Sequence, residues 1–313
     1  MRKGSLNLEV LVTGGAGFIG SNIVDKLIDL NYEVIIIDNL STGKIENINK
    51  KANFYNLDIK DKAIEKVFQS HNISFLIHTA AQIDVQKSFD NPSFDAENNI
   101  LGTINILNNC VKYDIEKIIY SSSAAVYGEP NYLPIDEEHS ISPISPYGIS
   151  KFVPEKYIQM YNKIYNLNFT ILRYSNAFGP RQDAKGEGGV ISIFIDRMLN
   201  DKLPVIFGDG EQTRDFIYVS DIVSANINAL AFAANKILNI SSNNKISINY
   251  LVSDLNNILK SNIKPIFKKE KEGDIKHSSL NNIKAKESLN WKPRVSFLDG
   301  LRKTIEFNKN TLS

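Results

Sequence analysis

Thr13-Gly14-Gly15-Ala16-Gly17-Phe18-Ile19-Gly20 joins an apolar run, Leu8 to Thr13, to a helical pattern extending from Phe18 to about Leu30. The three glycines at 14, 17 and 20 therefore follow a strand and open a helix. Such a turn lets the backbone approach a pyrophosphate closely, and the helix N-terminus offers its free N–H groups to the anion. Any tight strand-to-helix turn uses glycine, so the spacing alone is weak. The strand before it and the helix after it supply the context that a dinucleotide site requires.

Further strands follow at Glu33 to Asp38, Phe54 to Leu57, Phe75 to His78, Lys117 to Ser121 and Thr170 to Tyr174, most of them separated by helical stretches. Near-continuous apolar strands alternating with helices predict a parallel sheet covered on both faces. The fold class is α/β: a Rossmann doubly wound sheet, with a smaller C-terminal substrate-binding lobe. Residues 1–178 are assigned to the dinucleotide-binding domain, with about 215–240 returning to it, and residues 179–313 to the lobe. After Pro180 the pattern loses regularity, and Gln182 to Gly189 reads as a glycine-rich loop.

Asp38 ends the second strand. A carboxylate there accepts bonds from the adenosine ribose hydroxyls and repels a 2′-phosphate, favouring NAD over NADP; the alternative is an aspartate capping a turn. Asp58 follows the third strand and reads either as a contact to the adenine edge or as a simple turn residue, the turn fitting its spacing better.

The reaction centre is carried by Ser123, Tyr147 and Lys151. Ser121-Ser122-Ser123 closes the fifth strand, where a hydroxyl can face a ligand bound beyond the sheet. Tyr147 and Lys151, at i and i+4, share one side of a helix that Ser145 is placed to cap with Pro146 in its first turn. A free tyrosine has a pKa of about 10 and is a poor base at neutral pH, but a neighbouring ammonium favours the phenolate. The phenolate can take a hydroxyl proton while hydride leaves the same carbon. Tyr113 and Lys117 repeat the spacing, but they precede the fifth strand, on the wrong side for a strand-end site, and are read as surface. Pro154 lies in the catalytic helix, removes the bond to the Ser150 carbonyl and predicts a kink.

Of 313 residues, 42% are apolar, enough for a sizeable core; 36 Lys and Arg balance 35 Asp and Glu, so no strong field steers the chain toward nucleic acid or membrane. The single cysteine, Cys110, rules out an intramolecular disulfide, fits a reducing compartment and reads as core packing. No run reaches the ~18 apolar residues of a membrane span, and no signal segment is evident, so a soluble, cytoplasmic protein is expected. His71, His139 and His277 make no metal-ligand pattern, and no metal is expected; His78 reads as a structural hydrogen-bonding residue, and Trp291 as packing in the small lobe.

These stretches together resemble the extended short-chain dehydrogenase/reductase family, and within it the UDP-glucose 4-epimerase group, over nearly the whole chain. The resemblance rests on GGAGFIG at Gly14, DNLSTG at Asp38, HTAA at His78, SSSAAVYG at Ser121, SPYGISK at Ser145, LRYSNAFGPRQ at Leu172, RDFIYVSD at Arg214 and EGDIKHSSLNNIKAKESLNW at Glu272. It implies NAD-dependent interconversion of UDP-Glc and UDP-Gal, or of UDP-GlcNAc and UDP-GalNAc, through a 4-keto sugar. Tyr147 would be the base, Lys151 would orient the ribose and perturb Tyr147, and Ser123 would assist.

The implied cofactor site comprises Gly14, Gly17, Phe18, Ile19 and Gly20, then Asp38, Asn39, Ser41, Thr42 and Gly43, then Asp58, Ile59, Ala80, Ala81, Gln82, Asn98, Ser121, Tyr147, Lys151 and Tyr174. The implied substrate site comprises Ser123, Tyr147, Asn176, Val190, Phe207, Arg214, Asp274 and Ser278, with Arg214 near the diphosphate. The chain departs from the family pattern in three places. Lys271 stands where an arginine is frequent, Val190-Ile191 replaces an Asn-Leu pair, and Ser278 replaces a bulky tyrosine, leaving room for a C2 N-acetyl group. A homodimer through helices near 97–113 and 147–165 is also implied. Ala124 and Ala125 stand where related dehydratases and a decarboxylase carry acidic residues, which disfavours both. UDP-glucuronate 4-epimerase remains the enzymatic alternative, and a non-catalytic NAD-binding regulator the alternative of another class.

Overall fold

Branched aliphatic residues set the centre of the molecule. In the computed structural model, which describes residues 8–184, 189–270 and 275–312, Val10, Leu11 and Val12 of the first strand, β1 (Glu9–Thr13), have no exposed surface. Their side chains alternate between two cores. Val10 and Val12 join the cluster under helix α1 (Phe18–Asp29) and helix Val219–Ala231, whereas Leu11 joins Ile35, Ile37, Ile106 and Leu107 on the other face. Each such side chain contributes about 1.5–3 kcal/mol by burial.

β1 is flanked by β2 (Glu33–Asp38) and, beyond it, β3 (Asn53–Asn56). On its other side lie β4 (Ile73–His78), β5 (Lys117–Ser123), β6 (Asn168–Tyr174) and an outermost strand, Lys236–Ile240. All seven strands are parallel. The chain runs outward from β1 to β3, then returns to place β4 on the opposite side of β1. A crevice opens at that reversal, at the carboxyl ends of the strands, where such sheets bind ligands. The strands lie within two residues of their sequence-derived bounds; β5 extends through Ser123.

The lobe is held by short pairings: Phe216–Tyr218 with Asn176–Phe178, Thr213–Arg214 with Ile246–Ser247, and Val205–Phe207 with Ile266–Lys268. Trp291 is buried, but its indole N–H donates to the Asp221 carbonyl and the Ser224 hydroxyl at 2.9 Å each. It thus ties the C-terminal segment to the helix covering the sheet, rather than packing only within the lobe. Cys110 is fully buried in the second core, which pushes its thiol pKa well up.

One expectation needs correction. Lys117 is 5% exposed, not a surface residue. Its ammonium donates to the carbonyls of Ala229 and Phe232 (2.6 Å to the latter), capping the end of helix Val219–Ala231, while Tyr113 donates to Glu65 at 2.9 Å. The pair therefore splits between two structural tasks. The helix carrying Pro154 runs unbroken from Pro146 to Tyr165 and ends at Asn166, whose φ of 59° suits asparagine.

Candidate active site

The glycine loop is shaped by close backbone approaches. Gly14 has φ +72°, and a Cβ there would sit 2.7 Å from the Ala80 nitrogen; at Gly20 a Cβ would sit 2.1 Å from the Gly14 carbonyl oxygen. Gly17 precedes helix α1 with no side chain to cap it, which leaves the first N–H groups of the helix available to an anion. Asp38 ties this loop to the next. Its carboxylate accepts from the Ala16 N–H at 2.9 Å and the Leu40 N–H at 2.8 Å, and burial raises its pKa above the ordinary value. Asp58 accepts from the Asn39 amide at 3.0 Å and the Lys60 N–H at 2.9 Å, so it forms a turn and also faces the cleft.

The cleft has a volume of about 1220 Å³, counted to its open mouth. All the residues expected at the cofactor line it: Gly14, Gly17, Phe18, Ile19, Gly20, Asp38, Asn39, Ser41, Thr42, Gly43, Asp58, Ile59, Ala80, Ala81, Gln82, Asn98, Ser121, Tyr147, Lys151 and Tyr174. Sequence reasoning missed Ile37, Leu57, Thr79, Ile83, Lys87, Phe94 and Ser122 on the same walls. Ile37, Leu57, Thr79 and Ser122 neighbour recognised positions in the chain and could have been found that way. Ile83, Lys87 and Phe94 come from a stretch without a motif. A glycine cradle, an unblocked helix end and a carboxylate beyond β2 are a donor and acceptor set that fits NAD.

At the other end of the cleft stands the helix Pro146–Tyr165, which brings Tyr147 and Lys151 to its wall. The Ser145 hydroxyl accepts from the Gly148 N–H at 3.0 Å, and the buried Ser88 hydroxyl accepts from the Tyr147 N–H at 3.1 Å. Two oxygens thus fix the first turn, and with it the backbone of Tyr147. Lys151, 4% exposed, places its ammonium 4.7 Å from the centre of the Tyr120 ring. Burial lowers its pKa to about 8, against the pull of Glu155 and Asp95.

Ser123 is not among the residues lining the cleft, and its hydroxyl accepts from the Ala125 N–H at 3.2 Å. Ser121 and Ser122 line it instead, Ser121 lying 3.1 Å from the Tyr174 hydroxyl, which also meets Asn226. His78 is held between the hydroxyls of Thr13 (2.6 Å) and Thr103 (3.0 Å); burial, assisted by Lys151, lowers its pKa to about 3.

Tyr147 apart, the described residues expected at the substrate are not among those lining this cleft. Asn176 donates to the Asp215 carbonyl through its backbone, Arg214 to the carbonyls of Thr213 and Lys276, and Ser278 through its N–H to the Thr213 carbonyl. Arg214 and Ser278 are therefore brought side by side. Val190 opens the helix Val190–Leu199, and Phe207 lines a second, smaller cavity with Gln212, Glu270 and Lys276. Asp274 and Lys271 lie outside the described residues. Among the described residues no group of three His, Cys, Asp or Glu side chains is placed to hold a metal ion, and no helix is long and apolar enough to cross a membrane.

Comparison with known proteins agrees with this geometry. A relative from Methanocaldococcus jannaschii is 52% identical over 302 residues, covering 96% of this chain and 98% of its own. The UDP-glucose 4-epimerase of Thermotoga maritima, solved with UDP-glucose, superposes with a TM-score of 0.96 at 43% identity, covering 98% of this chain and all of its own. The UDP-N-acetylglucosamine 4-epimerase of Methanobrevibacter ruminantium, solved with UDP-N-acetylmuramic acid, has a TM-score of 0.93 at 38% identity, covering 97% of this chain and 99% of its own. Residues 10–241 match the family model directly, and the chain belongs to the NAD-dependent epimerase/dehydratase family.

Proposed function

We propose that the protein is an NAD-dependent UDP-hexose 4-epimerase, interconverting UDP-Glc with UDP-Gal, UDP-GlcNAc with UDP-GalNAc, or both, through a 4-keto sugar. The observation that carries this is the placement of Tyr147 and Lys151, one helical turn apart, on the wall of the cleft that the glycine loop closes. Bound NAD supplies the redox chemistry at the sugar's C4.

The chain's own residues handle the proton and the fit. The Lys151 ammonium favours the Tyr147 phenolate, which takes the proton of the C4 hydroxyl and returns it once the sugar has presented its other face. Ser123 assists at the same oxygen in this reading, turning its hydroxyl from Ala125. Asn176, Val190, Phe207, Arg214, Asp274 and Ser278 hold the UDP-sugar, Arg214 by charge on the diphosphate. The small Ser278 admits an acetylated C2 in this reading, and the M. ruminantium relative is itself a UDP-N-acetylglucosamine 4-epimerase.

A homodimer belongs to the same proposal. Leu101, Ile149, Met160 and Ile164 are exposed apolar residues on the two helical segments that would pair. So does a cytoplasmic location, consistent with the unpaired thiol of Cys110.

The test is to incubate purified protein, without added NAD, with UDP-GlcNAc and separately with UDP-Glc, and to resolve products by chromatography. Conversion of UDP-GlcNAc supports resident NAD and an open pocket. Conversion of UDP-Glc alone keeps the mechanism and rejects the pocket. Conversion of neither rejects the proposal, and UDP-glucuronate becomes the next substrate to try.

A further inference from the structure

Asp95 is 1% exposed, on the short helix Pro92–Ala96, and the reaction so far gives it no task. Its Oδ1 accepts from the Gln82 amide at 2.7 Å and the Asn99 amide at 3.3 Å, while its Oδ2 is buried with no hydrogen-bond partner. Among the described residues no cation lies within ion-pairing distance of it. A buried carboxylate held only by amides is costly unless a positive charge answers it.

The connections lead to the reaction centre. Gln82 lines the cofactor cleft. Asn99 donates to the Ser150 hydroxyl at 2.8 Å, and Ser150 donates to the Tyr147 carbonyl at 3.0 Å. Asp95 therefore fastens the segment after β4 to the very turn of helix bearing Tyr147 and Lys151. The charged groups around Lys151 are few: Glu155 on its own helix, Asp95 across from it, the neutral His78, and the phenols of Tyr120 and Tyr147. Glu155 is already neutralised by the guanidinium of Arg173, at 2.6 Å. Glu155 and then Asp95 oppose the effect of burial on Lys151, and among the described residues Asp95 is the one of the two without a cation at ion-pairing distance.

We propose that Asp95 is a positioning residue of the epimerase centre, the buried counter-charge of Lys151 and the clamp that holds Tyr147 and Lys151 against the cofactor wall. This rests on the epimerase reading for its role in turnover, though not for its effect on Tyr147.

Asp95→Asn keeps the amide contacts of Oδ1 and removes the charge. In the NAD-loaded enzyme the alkaline fall of kcat/KM should move to lower pH by about one unit, because Lys151 loses its proton sooner. The Tyr147 phenolate band, isolated by ultraviolet difference against Tyr147→Phe, should shift from its wild-type position as well. Both profiles coinciding with wild type, with only an even loss of rate or melting temperature, would overturn the proposal and leave Asp95 a structural clamp. Wild-type protein that turns over no UDP-hexose fails the epimerase reading by itself, and the phenolate titration then still decides for or against Asp95. Should D95N not fold, Asp95→Ser removes the same charge with a smaller side chain and is read by the same two outcomes.

Discussion

Glu155 and Arg173 form a buried bidentate ion pair directly behind the serine triplet, Nε to Oε1 at 3.0 Å and Nη2 to Oε2 at 2.6 Å. Ser122 donates to the same carboxylate at 2.6 Å, and the guanidinium also donates to the Tyr127 hydroxyl at 2.9 Å. Removing one charge leaves the other uncompensated. Glu155→Gln is expected to cost about 3–5 kcal/mol of folding stability. A urea unfolding midpoint equal to that of wild type would contradict this.

Tyr147→Phe removes the proposed proton acceptor and leaves the ring, the caps of Ser145 and Ser88, and the glycine loop in place. The expected result is a loss of about 10²- to 10⁴-fold in kcat with the NAD content of the purified protein unchanged. Loss of NAD together with activity would mean that the hydroxyl serves binding rather than proton transfer.

His78 should make the fold acid-sensitive. Its folded pKa, about 3, lies below the ordinary value of 6.5, so the unfolded chain binds the proton first. The stability is fully present above pH 6.5 and is lost as pH falls toward 3, with a slope of at most about 1.4 kcal/mol per pH unit. His78→Gln should be less stable at neutral pH yet show a shallower decline in denaturant titrations between those limits. A decline as steep as that of wild type would assign the acid sensitivity to other groups.

Ser278→Tyr tests the pocket. The larger ring should lower kcat/KM for UDP-GlcNAc by roughly 10-fold or more while leaving UDP-Glc turnover nearly constant, since steric exclusion acts on the acetyl group alone. Equal losses on both sugars would place position 278 away from C2.

The sheet was legible because its strands are buried on both faces, so their apolar runs need no partner to be recognised. The alternation of Val10, Leu11 and Val12 between two cores is local information. So are the glycine loop and the i, i+4 spacing of Tyr147 and Lys151. What escaped depends on distant backbone. Lys117 reads as a surface lysine until the carbonyls of Ala229 and Phe232 are folded over it. Ser123 ends the right strand, but the next turn brings the Ala125 N–H to its hydroxyl. Lys87 and Phe94 reach the cleft from a stretch with no periodicity, and in the Gln82–Asp95–Asn99–Ser150 chain only the i, i+4 step from Asp95 to Asn99 follows a spacing rule.

The outermost strand, Lys236–Ile240, pairs with β6 only after the chain has travelled through the lobe and back. A nascent polypeptide that has just released β6 from the ribosome therefore exposes an unpaired sheet edge, and it must wait for the lobe's first half to be synthesised before that edge is sealed. The two parts cannot be separated by a cut in a linker. Clipping the chain after Phe178 would remove the sheet's own border along with the lobe, so residues 1–178 cannot complete the seven-stranded sheet by themselves.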